Sequence, residues 1–115
     1  MSSITQDKPQ SVQQLSAPAL KSMIDNGVSL HLIDVRTAWE FEIASVSGAR
    51  LLDAEYRREV VRLPRDSNLV FMCHHGIRSQ CAAEEFYRMG FSSVFNVEGG
   101  IEAWSETVDK TVARY

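Results

Sequence analysis

With 115 residues the chain has the length of one domain and little room for a second. Its 44% hydrophobic and 23% charged residues fit a soluble globular protein and exclude a disordered one. A net charge of −3 gives no basic face for nucleic acid or an anionic membrane, and no apolar run approaches the length that spans a bilayer.

Residues 1–10 are polar and read as a loose lead-in to a domain over 11–115. They lack the basic segment and apolar block of a secretory signal, so a cytoplasmic location is expected. Ser11–Leu15 has the makings of a short first strand. Ser16 then offers a helix N-cap, Pro18 suits a first turn, and Leu20, Met23 and Ile24 share one helical face closed by Gly27. Leu30–Val35 is apolar enough for a strand covered on both faces. A short helix is expected around Ala38–Ala44, a brief strand near Ala49–Leu52, and a helix over Ala54–Leu63 that Pro64 stops. Asn68–Cys73 is the strongest strand signal. Ser79–Met89 returns to helical spacing with Gly90 at C′, and Val94–Val97 and Ile101–Thr107 supply a last strand and helix. Thr107–Tyr115 reads as a tail laid over the surface. Strand and helix alternate throughout, which predicts an α/β fold with a parallel sheet.

Cys73 and Cys81 are the two cysteines, too few for a disulfide scaffold in so short a chain. They are therefore reactive or buried thiols. Cys73 ends an apolar strand, the short loop His74-His75-Gly76-Ile77-Arg78 follows, and an amphipathic helix begins directly after it. Ligands of open α/β sheets bind at the carboxyl ends of strands, facing helix N-termini. A thiol of pKa about 8.5 is only roughly 7% thiolate near neutrality; a helix N-terminus and a neighbouring arginine both favour the anion, and a pKa near about 6.5 would make it roughly 90% thiolate. Backbone N–H groups from His74 to Arg78, curled by the freedom of Gly76, would cradle a bound anion. Cys73 is thus the expected catalytic residue, and His74, His75, Gly76, Ile77 and Arg78 the expected substrate-binding residues.

Other readings of these residues are plainer. Cys81, beside Ala82, is expected to be packed. Adjacent histidines are poorly placed to share one ion, so no metal and no cofactor are expected; His74 and His75 either line the mouth of the site or serve only through their N–H groups. A cation at a helix start opposes the dipole, so Arg78 needs a local reason, which an anion in the loop supplies. Asp34 and Arg36 read as structural, capping the next helix and pairing locally. Gly99, Gly100 and Trp104 read as turn and packing residues.

The loop Cys73-His-His-Gly-Ile-Arg78-Ser79 resembles the active-site loop of the rhodanese family. Leu32-Ile33-Asp34-Val35-Arg36 with Trp39-Glu40-Phe41 is similar to that family's first signature, and Glu98-Gly99-Gly100-Ile101-Glu102-Ala103-Trp104 to its closing one. Ser45-Val46-Ser47-Gly48-Ala49 matches the second motif, with Ser45 and Ser47 where histidine and proline are usual. The resemblance implies a rhodanese-like three-layer sandwich with a five-stranded parallel sheet flanked by helices. It also implies ping-pong transfer of sulfane sulfur through a Cys73 persulfide, from an anionic donor such as thiosulfate or a persulfide to a thiol or cyanide. A carrier module serving a protein acceptor, with little turnover on free small molecules, is the alternative. The phosphatase branch on a similar scaffold uses a loop one residue longer, Cys-x5-Arg.

Overall fold

The computed structural model describes residues 12–115; the lead-in expected over 1–10 and the first residue of the expected Ser11–Leu15 strand lie outside them. Ten elements alternate: β1 (Gln13–Leu15), α1 (Ala17–Asp25), β2 (His31–Asp34), α2 (Ala38–Ile43), β3 (Arg50–Leu51), α3 (Ala54–Val60), β4 (Asn68–Met72), α4 (Ile77–Arg88), β5 (Ser93–Val97) and α5 (Gly100–Thr107). The strands form one five-stranded sheet in the order β1-β5-β4-β2-β3, and every neighbouring pair is parallel.

Successive side chains of a strand point to opposite faces, and β4 shows why its sequence is apolar throughout. Leu69 and Phe71 pack with Ile33, Val60, Phe86 and Phe91 on one face, under α3 and α4. Val70 and Met72 pack with Leu20, Leu32, Val97, Ile101 and Trp104 on the other, under α1 and α5. Two cores back to back on one sheet make the expected three-layer α/β sandwich. Among the described residues, no helix is long and apolar enough to cross a membrane.

Local chemistry sets the helix ends. Ser16 caps α1 by accepting from the Ala19 N–H at 3.1 Å, and Asp53 caps α3 by accepting from the Tyr56 N–H at 2.8 Å. Leu20 is buried and Met23 half-buried, but Ile24 stays 38% exposed, so the apolar face of α1 is narrower than its spacing suggests. α3 ends at Val60, short of the expected Leu63: Arg62 and Leu63 donate to carbonyls three residues back, a tightened turn, before Pro64 forbids more helix. α4 starts two residues earlier than its apolar spacing indicated, with Ile77 76% exposed in its first turn. α2 is capped not by Asp34 but by Thr37, in a reciprocal box with Glu40.

Candidate active site

The parallel sheet directs the carboxyl end of β4 toward the N-terminus of α4, and Cys73 lies between them, 1% exposed. Gly76, at φ +100°, is the N-cap of α4, and its left-handed backbone turns the loop back over the sulfur. A Cβ there would stand 3.2 Å from the Val97 carbonyl oxygen and 3.3 Å from the Gly99 nitrogen. The N–H groups of Gly76 and Ser79 point at Sγ from 3.1 and 3.4 Å. The Ser79 hydroxyl lies 3.3 Å from the same sulfur. Burial pushes the Cys73 thiol up, but hydrogen bonds from the Ser79 hydroxyl and from the N–H groups of Ser79, Gly76 and His75 outweigh it, so its pKa falls below the ordinary value. The sulfur is thus met by hydrogen-bond donors that favour its anion, unlike a cysteine packed only among apolar groups.

The loop is braced from below by α5. The Ile101 N–H donates to the Cys73 carbonyl at 2.8 Å and the Glu102 N–H to that of His74 at 3.2 Å. Gly100 makes this docking possible, since a Cβ on it would fall 2.2 Å from the Cys73 carbonyl oxygen.

Arg78 has a partner within the protein that the sequence did not suggest. Its guanidinium grips Glu40 of α2 with Nη1 at 2.8 Å from Oε1 and Nη2 at 3.1 Å from Oε2. Glu40 supplies one local reason for a cation at this helix start. The carboxylate is 7% exposed, and the Arg78 bonds hold it well below the usual carboxylate range, against a burial cost and with help from Thr37 and Tyr115. The Arg78 side chain remains 46% exposed, so N–H groups not used on Glu40 can still meet an incoming anion. Cys73, His74, His75, Ile77 and Arg78 line a pocket of about 290 Å³. All the expected site residues except Gly76, which forms the buried turn beneath, thus share one pocket.

The expected surface tail after α5 is more than a covering. The Tyr115 hydroxyl donates to Glu40 Oε2 and accepts from Arg36 Nη1, both at 2.8 Å, and its ring stacks on His74 at 4.1 Å. Arg36 in turn forms a wholly buried pair with Asp34, Nη2 to Oδ2 at 2.6 Å, and donates to the Ala44 carbonyl. Asp34 and Arg36 pair locally, as read; neither caps the N-terminus of α2, but Arg36 donates to the Glu40 and Ala44 carbonyls at its C-terminal end. Cys81, expected to be packed, is exposed on α4.

His74, His75 and Glu102 present atoms within 4.8 Å of one another, a spacing compatible with metal ligands. The two imidazoles, however, are stacked at 4.0 Å and only 16° from parallel. An ion bound by imidazole nitrogen lies in the ring plane at about 2.0–2.1 Å, and two stacked planes share no such point. In this arrangement the three do not form one site.

Sequence reading missed four contributors. Glu40 was legible as the fourth residue of a Thr37-x-x-Glu40 capping box, but its grip on Arg78 was not. Tyr115 and Asn96 carry no local signal. Ser79 stood beside the loop as its helix start, yet its hydroxyl is turned inward and buried.

The fold is a parallel α/β sandwich with a cysteine at the end of its central strand, and the N–H groups of Gly76 and Ser79, at the start of the next helix, point at its sulfur. The rhodanese-like domain family model matches residues 16–107, and the chain belongs to that family. It is 31% identical over 93 residues to the thiosulfate sulfurtransferase GlpE of Pseudomonas aeruginosa, covering 80% of this chain and 83% of that one. It is 32% identical over 99 residues to the probable adenylyltransferase/sulfurtransferase MoeZ of Mycobacterium tuberculosis, covering 84% of this chain but only 25% of that protein. To the putative sulfur carrier protein YrkF of Bacillus subtilis it is 31% identical, over 83% of this chain and 52% of that one. The chain therefore spans a quarter to half the length of some curated relatives. A rhodanese-like domain protein from Staphylococcus aureus has the same fold, with a TM-score of 0.72 at 22% identity, covering 90% of this chain and 99% of that one.

Proposed function

We propose that the protein is a sulfurtransferase of the rhodanese type, in which Cys73 takes a sulfane sulfur from an anionic donor and passes it to a thiol or cyanide. The cage of N–H groups around the Cys73 sulfur carries this reading. The first step is attack of the Cys73 thiolate on the outer sulfur of thiosulfate. A Sγ–S bond forms as the S–SO3 bond breaks, and sulfite leaves with the bonding pair; the terminal sulfur keeps one negative charge. In the second step a thiolate or cyanide attacks that terminal sulfur, and Cys73 leaves as the thiolate. Both steps concentrate charge at the loop, where fixed N–H donors stabilise it without reorganising. Arg78, with its spare N–H groups, is the residue that meets the donor's sulfonate.

The likeness to GlpE supports catalytic turnover on thiosulfate, while the likeness to YrkF supports a carrier that hands sulfur to a protein acceptor. Both need the same persulfide. Incubation with thiosulfate is expected to add one sulfur atom to the intact mass, and cyanide to remove it. Cys73→Ser should abolish loading and Cys81→Ser should keep it; full loading of the Cys73→Ser protein would end the assignment. Steady-state thiocyanate production separates the two modes, being sustained for the enzyme and limited to a single equivalent for the carrier. The Gly76 and Ser79 N–H groups converge on one sulfur atom, and the loop from Cys73 to Arg78 is only six residues long, so no appreciable hydrolysis of an aryl phosphate is expected.

A further inference from the structure

Behind the cysteine loop lies a chain of uncharged polar groups, buried at Ser79 and Asn96, that the reaction scheme above does not use. The Ser79 hydroxyl is 3.3 Å from Cys73 Sγ on one side and 2.5 Å from Asn96 Oδ1 on the other. Asn96, on β5 and 3% exposed, donates from Nδ2 to the Gly76 carbonyl at 3.1 Å and to Gln14 Oε1 at 3.0 Å. Gln14, on β1, donates to Gln80 Oε1 of α4 at 2.7 Å, where the chain reaches solvent.

A hydroxyl has one proton. A peptide carbonyl only accepts, so the Gly76 oxygen requires the nitrogen of Asn96 on its side and leaves the amide oxygen facing Ser79. In that arrangement the Ser79 proton belongs to Asn96, and the Cys73 thiol can donate its own proton to Ser79 Oγ. A thiolate has no proton to give and needs one instead. If Ser79 turns its proton to the sulfur, two oxygens 2.5 Å apart are left with none between them, and Asn96 must swing away or reverse its amide. Reversal puts oxygen against the Gly76 carbonyl.

We propose that Asn96 is a positioning residue for sulfur transfer, whose amide oxygen competes with the Cys73 sulfur for the one proton of Ser79. The proposal rests on the reading of Cys73 as the sulfur carrier. In the persulfide the charge moves to the terminal sulfur, Sγ becomes neutral, and the Ser79 proton returns to Asn96. The Ser79–Asn96 bond is thus made in the thiol and the persulfide and broken in the thiolate. Asn96 raises the free thiolate relative to the loaded cysteine, which sharpens the nucleophile and favours retention of the sulfur.

Among the described residues, the charged and titratable groups around this sulfur lie on other sides of it. They are His74 and His75 of the loop, Arg78 of α4 with Glu40 of α2 and Tyr115 behind it, and Glu102 of α5 beside His74. The faces from β1 and β5 bring the amides of Gln14 and Asn96, and the chain meets a charge at its exposed outer end, where Gln80 donates to Glu84. Variants in the chain therefore leave the charges in place.

Two measurements made without any sulfur donor test the competition, so their outcome is independent of whether thiosulfate loads Cys73. The first follows the side-chain amide resonances of Asn96 through a pH titration of the wild-type protein. They should shift with the midpoint of Cys73 alkylation, and Ser79→Ala should remove the shift. The second is a double-mutant cycle of iodoacetamide alkylation at a pH below that midpoint. Asn96→Ala frees the Ser79 proton for the sulfur, so it should speed alkylation relative to its effect in the Ser79→Ala background. The coupling should be about threefold or more, as for one hydrogen bond of about 0.7 kcal/mol. Asn96 resonances that ignore Cys73, or an Asn96→Ala effect equal in both backgrounds, would overturn the proposal.

Discussion

The two sides of the cysteine loop are built from different chemistry. On the outer side stand full charges: Arg78 on Glu40, and behind them the buried Arg36–Asp34 pair, joined through Tyr115. On the inner side every group is neutral, from Ser79 through Asn96 to Gln14. A lone ion buried against the sulfur would carry a desolvation cost of several kcal/mol and fix the thiol in one protonation state. Neutral dipoles give short-range hydrogen bonds that can be turned. The outer charges act at longer range, and among them the half-exposed Arg78 is open to solvent. On the proposed reading, the inner side governs the sulfur and the outer side its partner.

The largest effect is expected where the two sides share a support. A Cβ at Gly100 would collide with the carbonyl oxygens of Cys73 and His74 at 2.2 and 2.5 Å, so Gly100→Ala must push α5 off the loop. A loss of about 3 kcal/mol is expected, at the upper end for overpacking, with a melting temperature lower by roughly 15 °C. Gly48 also has positive φ, +89°, but a Cβ there meets nothing within 4 Å. Gly48→Ala should cost only the backbone strain, about 1–2 kcal/mol. Equal losses in the two variants would mean that close approach to the loop is not what Gly100 provides.

Charge on the outer side is the next target. Arg78→Ala should lower kcat/KM for thiosulfate by about ten- to a hundredfold, the worth of a charged hydrogen bond. Alkylation by neutral iodoacetamide should change less. Equal losses for both reagents would move the arginine's role from the donor to the thiol itself.

Glu40→Gln isolates the carboxylate. The stability lost should be about 1 kcal/mol, reduced from the value for a buried pair because Arg78 is half-exposed. The sign with pH follows from the direction of the shift. Glu40 is held below the usual carboxylate range in the folded protein, so the unfolded chain takes up the proton first. Its contribution is complete above the ordinary carboxylate pKa of about 4.3 and is lost as the pH falls through and below it. Urea midpoints for wild type and Glu40→Gln should therefore differ at neutral pH and converge in acid. A gap that stays constant with pH would show that shape, not charge, makes the difference.

Legibility in the sequence divides along similar lines. The β4–loop–α4 unit could be read because its parts are contiguous: an unbroken apolar strand, then Cys73, then Gly76 and Arg78 at fixed spacing. The alternating elements gave the layers, since a strand buried on both faces shows no period-two pattern and a covering helix shows its stripe. The partners of these residues were illegible because they are remote. Glu40 is 38 residues from Arg78, Asn96 is 17 from Ser79, and Tyr115 is 79 from Arg36. Only the strand order, which sets β5 beside β4 and β1 beside β5, brings Asn96 and Gln14 under the loop. Cys81 departs from expectation for a physical reason too: Ala82 suggests packing, but the buried stripe of α4 runs through Ser79, Ala83 and Phe86 and leaves residue 81 outward.

The smallest effect belongs to Tyr115, which touches the outer side without carrying charge. Its hydroxyl bridges Arg36 and Glu40, and its ring lies on His74. Tyr115→Phe keeps the ring and removes the bridge. Glu40 still has Arg78 and Thr37, and Arg36 still has Asp34 and the Ala44 carbonyl, so neither charge is stranded. A loss of about 0.5–1 kcal/mol in stability is expected, as for one ordinary hydrogen bond. With Arg78 still gripped by Glu40, thiosulfate kcat/KM should fall by less than about threefold. Tyr115→Ala removes the stacking as well, and the His74 ring should then move more freely, visible as narrower imidazole resonances. A fall in activity for Tyr115→Phe as large as that for Arg78→Ala would mean that the outer charges are organised through the tyrosine, and that the arginine–carboxylate pair does not hold its geometry alone.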